Sequence, residues 1–299
     1  MLASLPESAK IQVEPSLARV LLKAAERLPR YENQEFYSTE LQRMVYESLC
    51  EDAPGLDRLT QEIKERLTRW PYCVLVAGLS FDEGNKVFVG INRAFGKLVA
   101  RPYEKPRAQL VHYIQPATDI ASARGGQESE RLHTDTADWE PPVELISMVC
   151  VRADPGGGGR SRVLDVDSIR DEVSDQLGPA VLNLLEREVV PWQLANYCGG
   201  GVQWRPILTE ASVCWRRYTI DMALDSTGAT LSPELLAALA DFENVISRTP
   251  RTIEFLMREG ELLFSDNRRT IHARTPIQNS ATSGRLMIRS WVRRGQNGT

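Results

Sequence analysis

The residues best able to do chemistry here are few. The chain of 299 residues holds only three histidines, His112, His133 and His272. His133 stands in Arg131-Leu132-His133-Thr134-Asp135. In an extended backbone, residues i and i+2 point to the same side, so His133 and Asp135 can face one point in space. His272 stands in Asp266-Asn267-Arg268-Arg269-Thr270-Ile271-His272-Ala273-Arg274. Two imidazoles and one carboxylate on one face of an ion suit Fe(II) and leave coordination positions open for other ligands. An H-x-D triplet alone is also what a surface loop can carry, so a second element is needed.

That element lies downstream. In Gly284-Arg285-Leu286-Met287-Ile288-Arg289-Ser290-Trp291, one alternating set is Arg285, Met287, Arg289 and Trp291. The other is Leu286, Ile288, Ser290 and Val292. On a barrel strand one set faces the interior. An arginine turned inward needs an anion, and its planar fork matches a carboxylate in bidentate fashion. With the apolar set inward, the arginines would instead be solvated. Periodicity alone does not choose between the two.

These residues need elements to hold them. Leu17, Val20, Leu21, Ala24 and Leu28 follow helical spacing, as do Leu56, Leu59, Ile63 and Leu67. Cys73 to Ala77, closed by Gly78, reads as a buried strand. Further strands are predicted over 109–114, 144–152, 162–166, 213–222, 251–257, 261–265 and 284–292, with one helix over 231–246. Gly156 to Gly159 precede a strand rather than a helix, so they read as a hairpin loop and not a dinucleotide fingerprint. Short strands bounded by Gly and Pro, with helices gathered at the N-terminus and in one insertion, predict a mainly β chain with flanking helices (α+β) around a double-sheet barrel.

Composition narrows the function classes. A net charge of -4 argues against a general nucleic-acid binder. The charge is uneven, with seven arginines between Phe264 and Arg294 opposed only by Asp266. This stretch is either a solvated basic surface or a local site for small anions. Five widely spaced cysteines without a C-x-x-C pair support neither a disulfide framework nor a cysteine zinc site. No apolar run is long enough to span a membrane, and the N-terminal stretch lacks the pattern of a signal peptide, so a cytoplasmic protein without a membrane partner is expected.

Taken together, His133-x-Asp135, then His272, then Arg285 thirteen residues later resemble the taurine dioxygenase and clavaminate synthase-like superfamily. Leu67 to Asp82 is similar to that family's helix and first core strand. Gly157 to Val163 resembles its Gly-Gly-x-Thr segment, and Glu259 to Thr275 its strand pair leading into the distal histidine. The resemblance covers roughly residues 67–294, leaving 1–66 as an N-terminal helical part of a single oxygenase domain over 1–299. It implies a double-stranded β-helix (jelly-roll) core and the cofactors Fe(II), 2-oxoglutarate and O2. The implied reaction is oxidative decarboxylation of 2-oxoglutarate coupled to oxidation of a C–H bond, by hydroxylation, desaturation or ring closure.

Carried over by position, His133, Asp135 and His272 would ligate iron, Arg285 and Ser161 would hold the 2-oxoglutarate C5 carboxylate, and Arg289 would meet an acidic group of the substrate. Ser161 stands where the family commonly has threonine. Related halogenases lack the carboxylate ligand, so Asp135 argues against halogenation. The clavaminate synthase-like relatives point to an amino acid or an amino-acid-derived natural product as the small-molecule substrate.

Four more residues are candidates for the substrate side. His112, on a predicted strand, is either a core histidine or a pocket residue. Trp139, in a loop ending Pro141-Pro142, either covers substrate or merely closes a loop. Trp204 follows Gly199-Gly200-Gly201, which reads as a lid or as a surface loop. Asp221, on the predicted strand with Arg217 and Tyr218, either meets a substrate ammonium group or forms a surface ion pair. The competing readings of the whole chain are a cupin-like metal-binding protein, or a lyase or isomerase on the same barrel, which would have no use for an inward Arg285, and a plain binding module with no metal, which makes the spacing of His133, Asp135 and His272 accidental.

Overall fold

The computed structural model describes residues 2–100, 110–116, 129–278 and 284–294. Gln109, the first residue of one predicted strand, lies outside them, as does the end of the chain beyond 294. The fold is mixed α/β. Helices α1 (Pro15–Arg27), α2 (Thr39–Asp52) and α3 (Gly55–Leu67) occupy the predicted helical part. A strand not foreseen there, β1 (Lys10–Gln12), runs parallel to β2 (Cys73–Ala77). Proline at the first turn of α1 and the Ser38 hydroxyl accepting from Leu41 N on α2 satisfy helix starts that lack internal partners. On α3 the predicted face is buried throughout, whereas on α1 Val20 is exposed and Ala25 takes its place inside.

One large sheet has the order β1-β2-β10-β5-β12-β3, with β4 also pairing β12. Its further strands are β3 (Lys97–Val99), β4 (His112–Ile114), β5 (Leu145–Arg152), β10 (Leu262–Asp266) and β12 (Leu286–Arg293). A smaller sheet has the order β11-β6-β9, from β6 (Ser161–Asp165), β9 (Ile253–Phe255) and β11 (Thr270–Arg274). The remaining pair, β7 (Val190–Gln193) and β8 (Val202–Arg205), is a separate hairpin.

Side-chain alternation along the strands assigns each face. From the large sheet, Val74, Val76, Val149, Phe264, Ile288 and Val292 pack against α1 to α3 and α4 (Lys86–Arg93). From its other face, Cys73, Leu75, Cys150, Leu263 and Met287 meet Val163, Ile253 and Phe255 of the small sheet. The outer face of the small sheet, through Leu164 and Ile271, is covered by α5 (Val166–Leu177), α6 (Pro179–Arg187), α7 (Arg217–Thr227) and α8 (Pro233–Arg248). The order is therefore helices, large sheet, small sheet, helices. Burial of these apolar faces is the main stabilising term, and truncating a fully buried ring such as Phe264 to alanine would cost about 3–5 kcal/mol.

Several sequence expectations are corrected. Helices outweigh strands among the described residues, so the chain is not mainly β. Residues 213–222 are not a strand: Arg217–Thr227 is helical, and Thr219, Ile220 and Ala223 are buried at helical spacing. Gly156 to Gly159 do not close a hairpin, because β5 and β6 belong to different sheets. Likewise β10 and β11 do not pair with each other; residues 267–269 carry the chain from the large sheet to the small one.

Candidate metal centre

His272 lies on β11, where its backbone N–H donates to His133 O at 2.9 Å and its carbonyl accepts from His133 N at 3.0 Å. This isolated antiparallel bridge sets the two side chains next to each other, with ring centroids 4.6 Å apart. Asp135 follows two residues on. Its backbone is fixed by Asn267, which is fully buried: Asn267 Nδ2 donates to Asp135 O and Val143 O, and Asn267 Oδ1 accepts from Asp135 N. Ligand atoms of His133, Asp135 and His272 all lie within 4.8 Å of one another.

The protonation pattern suits a cation. His133 Nδ1 donates to Arg131 O at 2.8 Å, which fixes the ring with Nε2 on the side of Asp135. Nε2 is 3.5 Å from Asp135 Oδ1, and His272 Nε2 is 3.8 Å from the same oxygen. Burial, helped by His133 and opposed by Asp135, pushes the His272 pKa down to about 3, so the ring is neutral near pH 7. Burial works against the Asp135 charge, but Arg289 and the two histidines outweigh it and hold the carboxyl well below the usual carboxylate range. The other oxygen, Oδ2, accepts from Trp291 Nε1 at 2.8 Å and from Arg289 Nη1 at 3.1 Å. Two imidazoles and one ionised carboxylate thus converge, and this donor set fits Fe(II).

The cavity beside this cluster lies between the two sheets. Met148, Ser265, Met287 and Arg289 line it from the large sheet, and Ser161, Val163, His272 and Arg274 from the small one. The alternation at β12 is thereby resolved: Arg285, just before the strand, and Met287 and Arg289 on it face the cavity, while Ile288 and Val292 pack against helices. Arg285 is buried at 6% exposure. Gly159, with φ +63°, lies against it: an added Cβ there would stand 2.6 Å from Arg285 Nε. The loop carrying Gly159 is shaped by buried Asp154, which accepts from Gly156 N, Gly158 N and Gln278 N. Arg162, Arg274, Arg285 and Arg289 all border the cavity, so its walls favour an anion.

The remaining candidates fall elsewhere. Trp139 is a core residue behind Asp135, 5% exposed, with its ring 5.8 Å from that of Trp291. His112, opposite Arg289 on β4, packs its ring 4.7 Å from Trp291. Neither lines the cavity among the described residues. Trp204 is exposed on the β7–β8 hairpin opposite Pro191; among the described residues its strand pairs only with β7. Asp221 sits on α7, not on a strand, and pairs with Arg217 at 2.7 Å; it borders a separate groove that shares His133. Trp291 and Asn267 are the residues sequence reasoning missed. An indole at strand period 2 from Arg289 was the available signal for the first; nothing in sequence marked the second.

Residues 52–291 match the family described as taurine catabolism dioxygenase TauD, TfdA family. No curated protein matches the chain. Among solved structures, the chain is similar to an asparagine oxygenase in complex with Fe(II), 3-hydroxyasparagine and succinate. There the identity is 17%, the TM-score 0.75, and coverage 95% of this chain and 93% of that one. It is similar to the non-heme iron oxygenase OrfP with Fe and α-ketoglutaric acid, at 16% identity and TM-score 0.71, covering 97% and 94%. A taurine dioxygenase from Burkholderia xenovorans aligns at 15% identity and TM-score 0.57, covering 80% and 82%. At these identities the structural likeness concerns the fold.

Proposed function

The chain belongs to the taurine catabolism dioxygenase TauD, TfdA family, and on that premise we propose that it hydroxylates an amino acid or amino-acid-derived small molecule at an unactivated C–H bond. It is a dioxygenase that uses Fe(II), 2-oxoglutarate and O2. The observation that carries the reading is the pairing of one His-Asp-His cluster with a buried arginine in the same cavity. A cupin-like protein that only binds metal would have no need to bury Arg285. We read the two facing sheets as a double-stranded β-helix, and residues 1–299 as one oxygenase domain with an N-terminal helical part.

In this reading His133, Asp135 and His272 would hold the iron. When bound, iron and 2-oxoglutarate supply the oxidation, with succinate and carbon dioxide as by-products. The chain's own residues do the rest. Arg285 pairs with the C5 carboxylate of the cosubstrate, and the Ser161 hydroxyl donates to it. Met148, Val163 and Met287 exclude water around it. Arg289 anchors a carboxylate of the substrate while touching Asp135. The amino-acid substrate class is supported by relatives whose structures hold hydroxyasparagine and hydroxyarginine.

The test is succinate release. Purified protein with Fe(II), 2-oxoglutarate and O2 is to be assayed against the twenty amino acids and short peptides, with product mass read in parallel. A mass gain of one oxygen that tracks succinate supports the proposal. Absence of succinate with every substrate and without substrate rejects it.

A further inference from the structure

The carboxylate of Asp135 is used asymmetrically. Oδ1 faces His133 Nε2 and His272 Nε2 at 3.5 and 3.8 Å. Oδ2 receives two donors, Trp291 Nε1 at 2.8 Å and Arg289 Nη1 at 3.1 Å. The two donors differ in kind. Arg289 lines the cavity and so stands within reach of whatever enters it. Trp291 does not line it, is 1% exposed, and is packed between the rings of His112 and Trp139 at 4.7 and 5.8 Å. An indole has one N–H and no acceptor, and this one cannot swing away without unpacking its neighbours.

We propose that Trp291 is a positioning residue for the metal centre: its N–H pins Asp135 Oδ2, so that Asp135 offers an ion Oδ1 alone. Turning the carboxylate to present both oxygens would break the indole hydrogen bond. One coordination position is thereby kept open that a bidentate carboxylate would fill. Because Trp291 lies outside the cavity, this hold persists when Arg289 engages a ligand. The inference rests on the proposed iron site, but it concerns how that site is kept three-coordinate by protein.

The experiment compares Trp291→Phe with Trp291→Leu. Phenylalanine keeps a ring against His112 and Trp139 but deletes the N–H; leucine removes both. Mn(II) affinity is measured by titration, and the number of metal-bound waters by water-proton relaxation, alongside the melting temperature of metal-free protein. The expected result is that Trp291→Phe melts near the wild type, binds Mn(II) about tenfold or more weakly, and shows lower relaxivity per bound ion as a second carboxylate oxygen displaces water. Affinity and relaxivity equal to wild type in Trp291→Phe, with loss only in Trp291→Leu, would show that packing alone matters and overturn the proposal. Should Trp291→Phe not fold, wild-type protein with ¹⁵N-labelled tryptophan decides. One of its six indole N–H signals should shift on adding Zn(II), and no shift overturns the inference. Failure of wild-type protein to bind Mn(II) or Fe(II) at all would instead reject the iron site itself.

Discussion

His133 and His272 exchange both backbone hydrogen bonds across an isolated antiparallel bridge, at 3.0 and 2.9 Å. Two imidazoles from segments far apart in sequence are thus set by main-chain geometry rather than by side-chain contacts. The third member, Asp135, is held from behind by Asn267, Arg289 and Trp291.

Asp135→Ala should abolish succinate formation and weaken Fe(II) binding by at least about a hundredfold, roughly 2.7 kcal/mol. It also leaves Arg289 and Trp291 without their acceptor. Anaerobic Fe(II) titration and succinate assay are the readouts. Wild-type iron affinity in this variant would exclude Asp135 as a ligand.

Arg285→Ala and Arg289→Ala should separate. Loss of the buried Arg285 should raise the Kd for 2-oxoglutarate by on the order of a hundredfold, with Fe(II) affinity nearly unchanged. Arg285→Lys should recover little of it, because an ammonium lacks the bidentate fork. Arg289→Ala should do two things: uncouple succinate release from substrate oxidation, and weaken Fe(II) binding through Asp135. Equal, small effects of Arg285→Ala with and without substrate would remove the cosubstrate role.

Gly159→Ala tests the approach of backbone to Arg285. The positive φ and the 2.6 Å clash with Arg285 Nε leave no relaxed place for a methyl group. We expect a stability loss of about 1–2 kcal/mol and a 2-oxoglutarate Kd raised about tenfold, read by urea unfolding and by titration. An unchanged Kd would mean the guanidinium is not held where the cosubstrate binds.

The stability of metal-free protein should fall with acid in a defined window. His272 titrates near 6.5 when unfolded and at about 3 when folded. Between those values the unfolded chain takes up a proton that the folded chain refuses. The contribution is therefore complete above pH 6.5 and is lost as pH falls toward 3, by at most about 1.4 kcal/mol per pH unit. Asp135, whose carboxyl is also held low, adds loss in the same direction at the acid end. Urea midpoints at pH 7, 5.5 and 4.5 should decline more steeply for wild type than for His272→Gln, and parallel declines would refute the assignment.

Much of the cluster was readable in sequence because its geometry is local. His133 and Asp135 share a side by strand period, and one further histidine stood in a motif of its own. The face of β12 was not readable, since arginines inward and apolar residues inward fit the same alternation; two sheets and a helical layer decide it. Residues 213–222 misled because Val213, Ile220 and Met222 suit a strand, while the burial of Thr219, Ile220 and Ala223 obeys helical spacing. Trp139 and Trp204 stayed open for a different reason: an aromatic beside a proline or glycine loop looks the same whether it ends in the core or in solvent. Asn267 was invisible, because what an amide bonds depends on a segment more than a hundred residues away.

The position of β12 also sets when the centre can come into being. This strand lies inside the large sheet, between β5 on one side and β3 and β4 on the other, and it brings Arg289 and Trp291 to Asp135. A nascent chain that has emerged only as far as β11 already contains both histidines and the aspartate, yet lacks the strand that completes the sheet and neutralises the carboxylate. Synthesis order thus leaves Asp135 without its Arg289 and Trp291 partners until β12 has been made.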